Sequence, residues 1–310
     1  MAKKIIFMGT PLFAVPILKS LFQNGFPIDL VYTQSPQKSH RGQKINKSPI
    51  QCISETLNID FRSPLSLKNN EEEYEFLKKM NADLAIVVAY GQIIPKEYLK
   101  LTKKGFINIH GSILPKWRGA APIQRSIINL DKETGISIMK MNEKLDSGPV
   151  SNVYKIKLDQ NKNAKEISEK LSLLASNKIL DEISDILEGK TKFVEQEHSK
   201  ATYAKKISKD EGKIDWTNDA INIIGKINGL YPSPGAFFIF NGERYKILKA
   251  EIGNGFGKNG EVISDNLEIA CGNKKSIKIL EIQREGRKVQ KVGDFILGSK
   301  IKKGKVISNV

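Results

Sequence analysis

Residues 83–89 read DLAIVVA, and this run decides the fold class that we predict for the chain. After Asp83 the run is entirely apolar and rich in β-branched side chains, which is typical of a strand buried on both faces of a parallel sheet. Short apolar runs and helical patterns alternate on either side of it. We predict strands at 4–8, 28–32, 105–110, 135–141 and 150–156, and helices at 13–23, 48–57, 71–80, 120–130 and 164–188.

This alternation predicts an α/β domain with a doubly wound, mostly parallel, Rossmann-like sheet over residues 1–189. Residues 190–209 are polar and irregular, as in a linker. Residues 210–310 are predicted to form a small C-terminal β-barrel, OB-like in type, because Gly and Asn separate short strand-like runs there. These runs lie at 236–240, 245–250, 261–263, 267–271 and 277–282, after one helical stretch at 219–227.

Length and charge limit the classes of protein that fit. A chain of 310 residues is long for one hydrophobic core, so two domains are expected. Fifty Lys and Arg against 34 Asp and Glu give a net charge of +16, which would attract nucleic acid. Only seven of the basic residues are Arg, so a general lysine bias explains the charge equally well. Charge alone therefore leaves a nucleic-acid partner open.

Nothing in the sequence predicts secretion or membrane insertion. The apolar run Ile5–Met8 is too short for a signal peptide, and Gly9-Thr10-Pro11 interrupts it. Cys52 and Cys271 are far apart and form no CxxC motif, so we expect neither a disulfide framework nor a thiolate metal site. We expect a cytoplasmic protein without contact to a membrane.

The first strand–helix turn argues against two common cofactor classes. It carries Gly9-Thr10-Pro11 and no GxGxxG, whose glycines let the backbone approach a dinucleotide pyrophosphate. The chain also contains no GxxxxGK[ST] phosphate-binding loop. A dinucleotide oxidoreductase and a nucleoside triphosphatase are therefore disfavoured.

The most informative segment is residues 108–115, NIHGSILP, at the carboxyl end of a predicted strand. Side chains two apart on a strand share a face, so Asn108 and His110 should point into one crevice, where open α/β sheets bind ligands. A lone His is more often a buried structural residue. An amide beside it, followed by the turn at Gly111, favours a functional site. Asp146 follows a later strand in the sequence LDSG and could reach the same edge, although an Asp before Ser-Gly is usually only a turn residue.

These residues resemble a known family, the formyltransferases that use 10-formyltetrahydrofolate. The motif consists of Asn108, His110, Ser112 and Leu114-Pro115, with Leu145-Asp146-Ser147-Gly148 downstream. The resemblance extends collinearly along the chain and is closest to the methionyl-tRNA formyltransferase branch. The further segments that carry it are MGTP at 8–11, VAYGQIIP at 88–95, KWRGAAPIQ at 116–124 and IDW at 214–216.

The resemblance implies three catalytic residues. His110 would transfer protons and stabilise the developing oxyanion, Asn108 would donate from its amide to the same oxygen, and Asp146 would orient His110. The donor 10-formyltetrahydrofolate would bind as co-substrate, and we expect no metal. The residues implied to border the donor are Val88, Tyr90, Gly91, Ser112, Ile113, Leu114 and Pro115.

The resemblance also implies that the acceptor is the α-amino group of methionyl initiator tRNA, so that the product serves translation initiation. Residues 34–47 form a long, polar, basic segment that matches the family's tRNA-contacting loop, with Arg41 at its centre and Lys38 and Lys44 beside it. From the residues alone, a solvated surface loop is the favoured interpretation. The domain 210–310 would add contacts to the tRNA backbone, and we expect a monomer.

Two alternatives share the predicted scaffold. A formyltransferase for a small amine, such as an amino-sugar nucleotide or a purine precursor, would keep Asn108, His110 and Asp146 and would not need the basic segment. A non-catalytic RNA-binding protein on a degenerate scaffold would be expected to have lost one of the three. An assay with charged initiator tRNA separates these possibilities.

Overall fold

The computed structural model of the protein describes residues 3–39 and 44–308. Contacts between residues divide them into two compact units, each assembled from three separate stretches of chain. Unit 1 contains the residues up to Pro122, together with Thr134–Ile156 and Ser168–Ala204. Unit 2 contains Ile123–Glu133, Lys157–Ile167 and the residues from Lys205 onward.

Unit 1 is built on a seven-stranded sheet in the order β10-β9-β7-β6-β1-β2-β5. Strand β1 pairs in parallel with β2 and β6, β6 pairs in parallel with β7, and β9 runs antiparallel to β7. The mostly parallel α/β sheet predicted from the sequence is thus confirmed. The strands up to residue 204 are β1 Ile5–Gly9, β2 Ile28–Tyr32, β3 Gln37–Ser39, β4 Lys44–Asn46, β5 Phe61–Arg62, β6 Leu84–Val88, β7 Phe106–His110, β8 Arg118–Gly119, β9 Glu133–Lys140, β10 Val150–Lys157 and β11 Tyr203–Ala204.

Local sequence signals set the ends of the helices. The Ser48 hydroxyl accepts from the backbone N–H of Gln51 at 2.9 Å and caps one helix, and Asn70 caps the next through the N–H of Glu73 at 3.1 Å. Both helices end at an Asn in the left-handed conformation. The helices up to residue 204 are α1 Val15–Gln23, α2 Pro49–Leu57, α3 Glu71–Met80, α4 Pro122–Ile128 and α5 Ala164–Glu188.

Unit 2 contains a five-stranded antiparallel half-barrel in the order β12-β13-β15-β14, with β16 paired to β15. Its core includes the aromatic residues Trp216, Phe238 and Tyr245. The predicted strand at 261–263 forms only isolated bridges, from Glu261 to Val306 and from Val262 to Ile269. The elements are α6 Ala220–Gly229, β12 Ala236–Phe240, β13 Glu243–Gly253, β14 Glu268–Ala270, β15 Ser276–Arg284, β16 Gln290–Lys291 and α7 Val292–Gly298.

Within unit 2, α6 packs very closely against the chain that follows Pro122. A Cβ placed on Gly229 would lie 2.5 Å from the side chain of Ile128, and one on Gly225 would lie 2.7 Å from that of Leu130. Such an approach needs glycine, because any side chain would overlap the neighbouring residue. Residues 123–133 therefore pack as part of unit 2, although most of that unit comes from residues 205 onward.

The segment 190–209, predicted as a polar linker, makes regular contacts with unit 1 over much of its length. Val194 forms a two-way backbone bridge with Val150, with N–O distances of 2.8 and 2.9 Å. Further along, β11 pairs in parallel with β8. We call residues 194–204 the strap. The division into domains 1–189 and 210–310 stays a prediction.

In the described part of the chain, no helix is long and apolar enough to cross a membrane.

Candidate active site

The site lies where β6 and β7 end side by side. The register pairs Val87 with Asn108 across the parallel ladder and His110 with Ser137 across the antiparallel one. Asn108 and His110 share one face of β7, as strand geometry requires, and are only 8% and 6% exposed. An amide and an imidazole with restricted access to water therefore lie at the edge of the sheet.

Asp146 joins these two side chains. Its Oδ1 accepts from Asn108 Nδ2 at 3.2 Å, and its Oδ2 accepts from the backbone N–H of Gly119 at 2.8 Å. The same Oδ2 lies 3.7 Å from His110 Nδ1. Asp146 itself has a left-handed backbone with φ of 44°, which Asp tolerates better than most residues. The structure thus brings together the three residues predicted to be catalytic.

The contacts of His110 indicate where its protons lie. Nε2 is 2.9 Å from the carbonyl oxygen of Trp117, which can only accept, so Nε2 carries a proton. Nδ1 faces the Asp146 carboxylate at a distance beyond a normal hydrogen bond. Nδ1 is therefore the atom at which a proton can be gained beside a carboxylate.

The segment 112–115, predicted to border the donor, folds back over the sheet. The Ser112 hydroxyl donates to Lys116 O at 2.6 Å, and the Leu114–Pro115 peptide is cis. Ser137, fully buried on β9, donates to Ser112 O at 2.7 Å and accepts from Leu114 N at 3.1 Å. Sequence reasoning missed Ser137, because nothing distinguishes it from other residues of a buried strand.

The other predicted donor residues are Val88, the last residue of β6, and Tyr90 and Gly91, which follow it. The chain turns there through left-handed conformations at Ala89 and Gly91, with φ of 47° and 82°. The Tyr90 carbonyl accepts from the Thr10 hydroxyl at 2.7 Å, while its ring is packed in the core of unit 1, and burial raises the pKa of the phenol. The Tyr90 ring is therefore packed in the core rather than in the crevice.

A hydrogen-bond network around the buried Arg118 and Gln196 supports the turn that carries Asp146. Arg118, 4% exposed, donates from Nε and Nη2 to Gln196 Oε1 at 3.2 and 2.8 Å, and from Nη2 to His198 Nδ1 at 2.9 Å. Gln196 Nε2 donates to the carbonyls of Asp146 and Gly148. Sequence reasoning gave these side chains no role. Arg118 lies in the segment that resembles the family, but Gln196 lies in a polar stretch without any pattern.

Two stretches of the basic segment, Gln37–Ser39 and Lys44–Asn46, are strands. Strands β3 and β4 pair antiparallel, with Lys38 opposite Ile45 and Ser39 opposite Lys44. Lys38 and Lys44, both predicted to bind tRNA, are therefore strand residues. Arg41, the third predicted residue, lies outside the described residues.

Two further observations concern ligands. Among residues 3–39 and 44–308, no group of three or more His, Cys, Asp or Glu side chains could hold a metal ion. On unit 2, a groove of about 540 Å³ is lined by residues of mixed chemistry. They include the basic Arg284, Arg287, Lys288 and Lys300, the aromatic Tyr245, and the acidic Glu243 and Asp294. Arg284 pairs there with Glu243.

Comparison with known proteins shows which family has this sequence and fold. Residues 3–183 match the family described as formyl transferase, and residues 206–300 match the formyl transferase C-terminal domain. The chain belongs to the formyltransferase family. Among curated relatives, the methionyl-tRNA formyltransferase of Pelagibacter ubique is 66% identical over 100% of both chains. That of a Chelativorans species is 40% identical over 98% of this chain and 99% of its own.

Solved structures of formyltransferases share the fold. An N-formyltransferase from Helicobacter canadensis, crystallised with folinic acid and dTDP-3-aminofucose, is 19% identical and superposes with a TM-score of 0.69, covering 92% of this chain and 100% of its own. A sugar 3N-formyl transferase, studied with dTDP and 5-N-formyl-THF, is 21% identical with a TM-score of 0.68, covering 93% and 100%. At this identity the likeness shows the formyltransferase fold alone.

Proposed function

We propose that this formyltransferase transfers the formyl group of 10-formyltetrahydrofolate to the α-amino group of methionyl initiator tRNA, giving N-formylmethionyl-tRNA for translation initiation. The observation that carries the proposal is the 66% identity, over the full length of both chains, to a protein named methionyl-tRNA formyltransferase. The match to both the formyl transferase model and its C-terminal domain model, and the basic segment 34–47, support a macromolecular acceptor.

The donor would bind between the end of β6 and the segment 112–115. The groups there suit a flat, polar heterocycle, since the turn at Ala89–Gly91 offers backbone groups and Leu114 offers an apolar side chain. When bound, the donor supplies an electrophilic formyl carbon. Ser137 on β9 holds the segment 112–115 through two hydrogen bonds, so this side of the donor site is formed before the ligand binds.

The three site residues divide the chemistry. Asn108 uses one amide N–H on Asp146, which leaves the other to donate to the formyl oxygen as it gains negative charge. His110 Nδ1 takes the proton from the attacking amine, and the neighbouring Asp146 carboxylate stabilises the imidazolium. The proton is then available for the departing folate nitrogen. Each side chain acts on an atom that changes charge during the reaction.

The tRNA would be held by cations on both units. Arg41, Lys38 and Lys44 would engage the acceptor end from unit 1. On unit 2, the groove lined by Arg287, Lys288 and Lys300 would contact phosphates. These contacts neutralise backbone charge, so they would contribute affinity and placement more than sequence recognition.

A small amine is the weaker alternative. The sugar formyltransferases among the solved structures are 21% identical or less and share only the fold, whereas the relatives at 40% identity and above carry the methionyl-tRNA name. A non-catalytic RNA-binding role does not explain why Asn108, His110 and Asp146 are all present and in contact.

The experiment that tests the proposal supplies purified protein with 10-formyltetrahydrofolate and methionyl initiator tRNA, and measures N-formylmethionine released by mild hydrolysis. His110→Ala is the matched control for background transfer. We expect formylation with the native protein only. Formylation of an amino-sugar nucleotide, with none of the tRNA, would replace the proposal with the small-amine alternative.

A further inference from the structure

We propose that Gln196 is a positioning residue for Asp146, and that the buried Arg118 holds Gln196 in the orientation that this task needs. The inference rests on the proposed function, because it assumes that Asp146 acts on His110. It assigns a role to the strap, residues 194–204, within the active site.

The first step is the contact between Gln196 and the turn that carries Asp146. Gln196 Nε2 donates to Asp146 O at 2.9 Å and to Gly148 O at 2.7 Å, so both amide protons are used on this turn. Asp146 is left-handed, and its backbone direction decides where its carboxylate points. The two hydrogen bonds from Gln196, to the carbonyl of Asp146 itself and to that of Gly148, fix that direction.

The second step is the role of Arg118. A glutamine amide can bind either way round, but a guanidinium only donates, so Gln196 must turn its oxygen toward Arg118 and its nitrogen toward the Asp146 turn. Gly119, next along β8, donates its backbone N–H to Asp146 Oδ2. Strand β8 thus holds the carboxylate of Asp146 directly and its backbone through Gln196.

The third step is the anchoring of the strap on both sides of Gln196. Val194 bridges Val150 before it, and β11 pairs with β8 after it. Thr202 also contributes, because its Oγ1 accepts from Trp117 N at 2.9 Å. Trp117 is the residue whose carbonyl accepts from His110 Nε2, so the strap supports the carbonyl partner of His110 as well.

Charge explains why an amide suits this position. A carboxylate at residue 196 would pair more strongly with Arg118, yet it would place negative oxygen against the carbonyls of Asp146 and Gly148. Gln196→Glu therefore keeps the contact with Arg118 and replaces the two hydrogen bonds to the turn by repulsion between oxygens. A purely structural role centred on Arg118 would tolerate this change, whereas a positioning role would not.

The experiment compares Gln196→Glu with Gln160→Glu. Gln160 is a matched control, because its Nε2 also donates to a backbone carbonyl, that of Asp131 at 3.0 Å, in unit 2. For Gln196→Glu we expect kcat to fall about tenfold or more, with KM for donor and tRNA within about twofold, because two hydrogen bonds that place a reacting group are lost. Gln160→Glu should keep kcat within about twofold of the native value.

A double-mutant cycle decides whether the effect passes through Asp146. In the Asp146→Ala background, Gln196→Glu should cause no further loss of kcat. An equal loss in both backgrounds, or native turnover of Gln196→Glu alone, overturns the inference. Native turnover of Asp146→Ala alone would instead overturn the proposed catalytic site. Gln196→Glu could lower the unfolding temperature more than Gln160→Glu does. In that case Gln196→Met, which removes both donors without adding charge, replaces it in the same double-mutant cycle. The same outcomes then support or overturn the inference.

Discussion

At the scale of the residue, three side chains carry the proposed chemistry. Replacing Asn108, His110 or Asp146 by Ala should each lower turnover by a factor of about 10² or more, because a proton carrier or an oxyanion donor is removed. Single-turnover formylation of methionyl initiator tRNA measures this. The unfolding temperature and the binding of 5-formyltetrahydrofolate serve as controls for folding. Near-native turnover of His110→Ala would remove His110 from the mechanism.

The two cysteines should differ in reactivity. Cys52 is exposed, whereas Cys271 is 2% exposed and burial raises the pKa of its thiol to about 12. At pH 8 a thiol reagent should therefore modify one cysteine in the native protein and two after denaturation. Rapid modification of two thiols in the native protein would contradict the burial of Cys271.

The raised pKa of Cys271 also has a consequence for stability. Ionisation is disfavoured in the folded state, so the contribution of this thiol is fully present below the unfolded pKa of about 8.5 and is lost as the pH rises toward 12. Unfolding by denaturant at pH 8 and pH 10 measures this. Cys271→Ala should show a smaller decline of the unfolding free energy over that interval, with Cys52→Ala as the matched control.

At the scale of the element, the turn after β9 depends on a glycine. A Cβ on Gly148 would overlap the carbonyl oxygen of Lys140, so Gly148→Ala must displace the turn that carries Asp146. We expect a loss of stability of about 1–3 kcal/mol and a fall in turnover. Thermal unfolding and the formylation assay measure both. Gly293→Ala in α7 is the control, because the added Cβ meets no atom within 4 Å outside its own helix backbone and chain neighbours; it should leave turnover unchanged and should not lower stability. Equal effects of the two substitutions would contradict the packing argument.

Elements with their own sequence signals could be predicted, and elements that depend on distant partners could not. Strand β2 and helices α3 and α5 were predicted with the bounds that the structure shows, because apolar periodicity and capping residues are local. The two-residue strands β8 and β11 escaped prediction, because each exists only through its pairing with the other.

The same distinction applies to the site. Asn108 and His110 lie two residues apart on one strand, so strand geometry alone predicted that they share a crevice. Asp146 needed the family resemblance, and the support from Gln196 and Ser137 comes from chain segments distant in sequence, which no local pattern reveals.

At the scale of the whole molecule, recognition of tRNA should depend on charge. If the acceptor is tRNA, affinity should fall steeply with salt, because phosphate contacts release counterions. Arg41→Ala should lower turnover on methionyl initiator tRNA and leave the folate dissociation constant nearly unchanged. Arg41→Lys should retain only part of the native turnover, since Lys offers a point charge where Arg can make a bidentate contact. Filter binding at several salt concentrations, with Lys19→Ala as a control on α1, measures this. Affinity that is flat in salt would favour the small-amine acceptor.

The segments of the two units alternate along the chain, and this determines when each unit can fold during synthesis on the ribosome. Residues 123–133 and 157–167 are made early, yet the unit that buries them is completed only by residues from 205 onward. Ile123, Ile127 and Ile167, buried in the finished protein, must therefore remain without these partners until the residues from 205 onward have emerged. A nascent chain stalled near residue 204 should expose these apolar faces to chaperones, even though all segments of unit 1 have already been made.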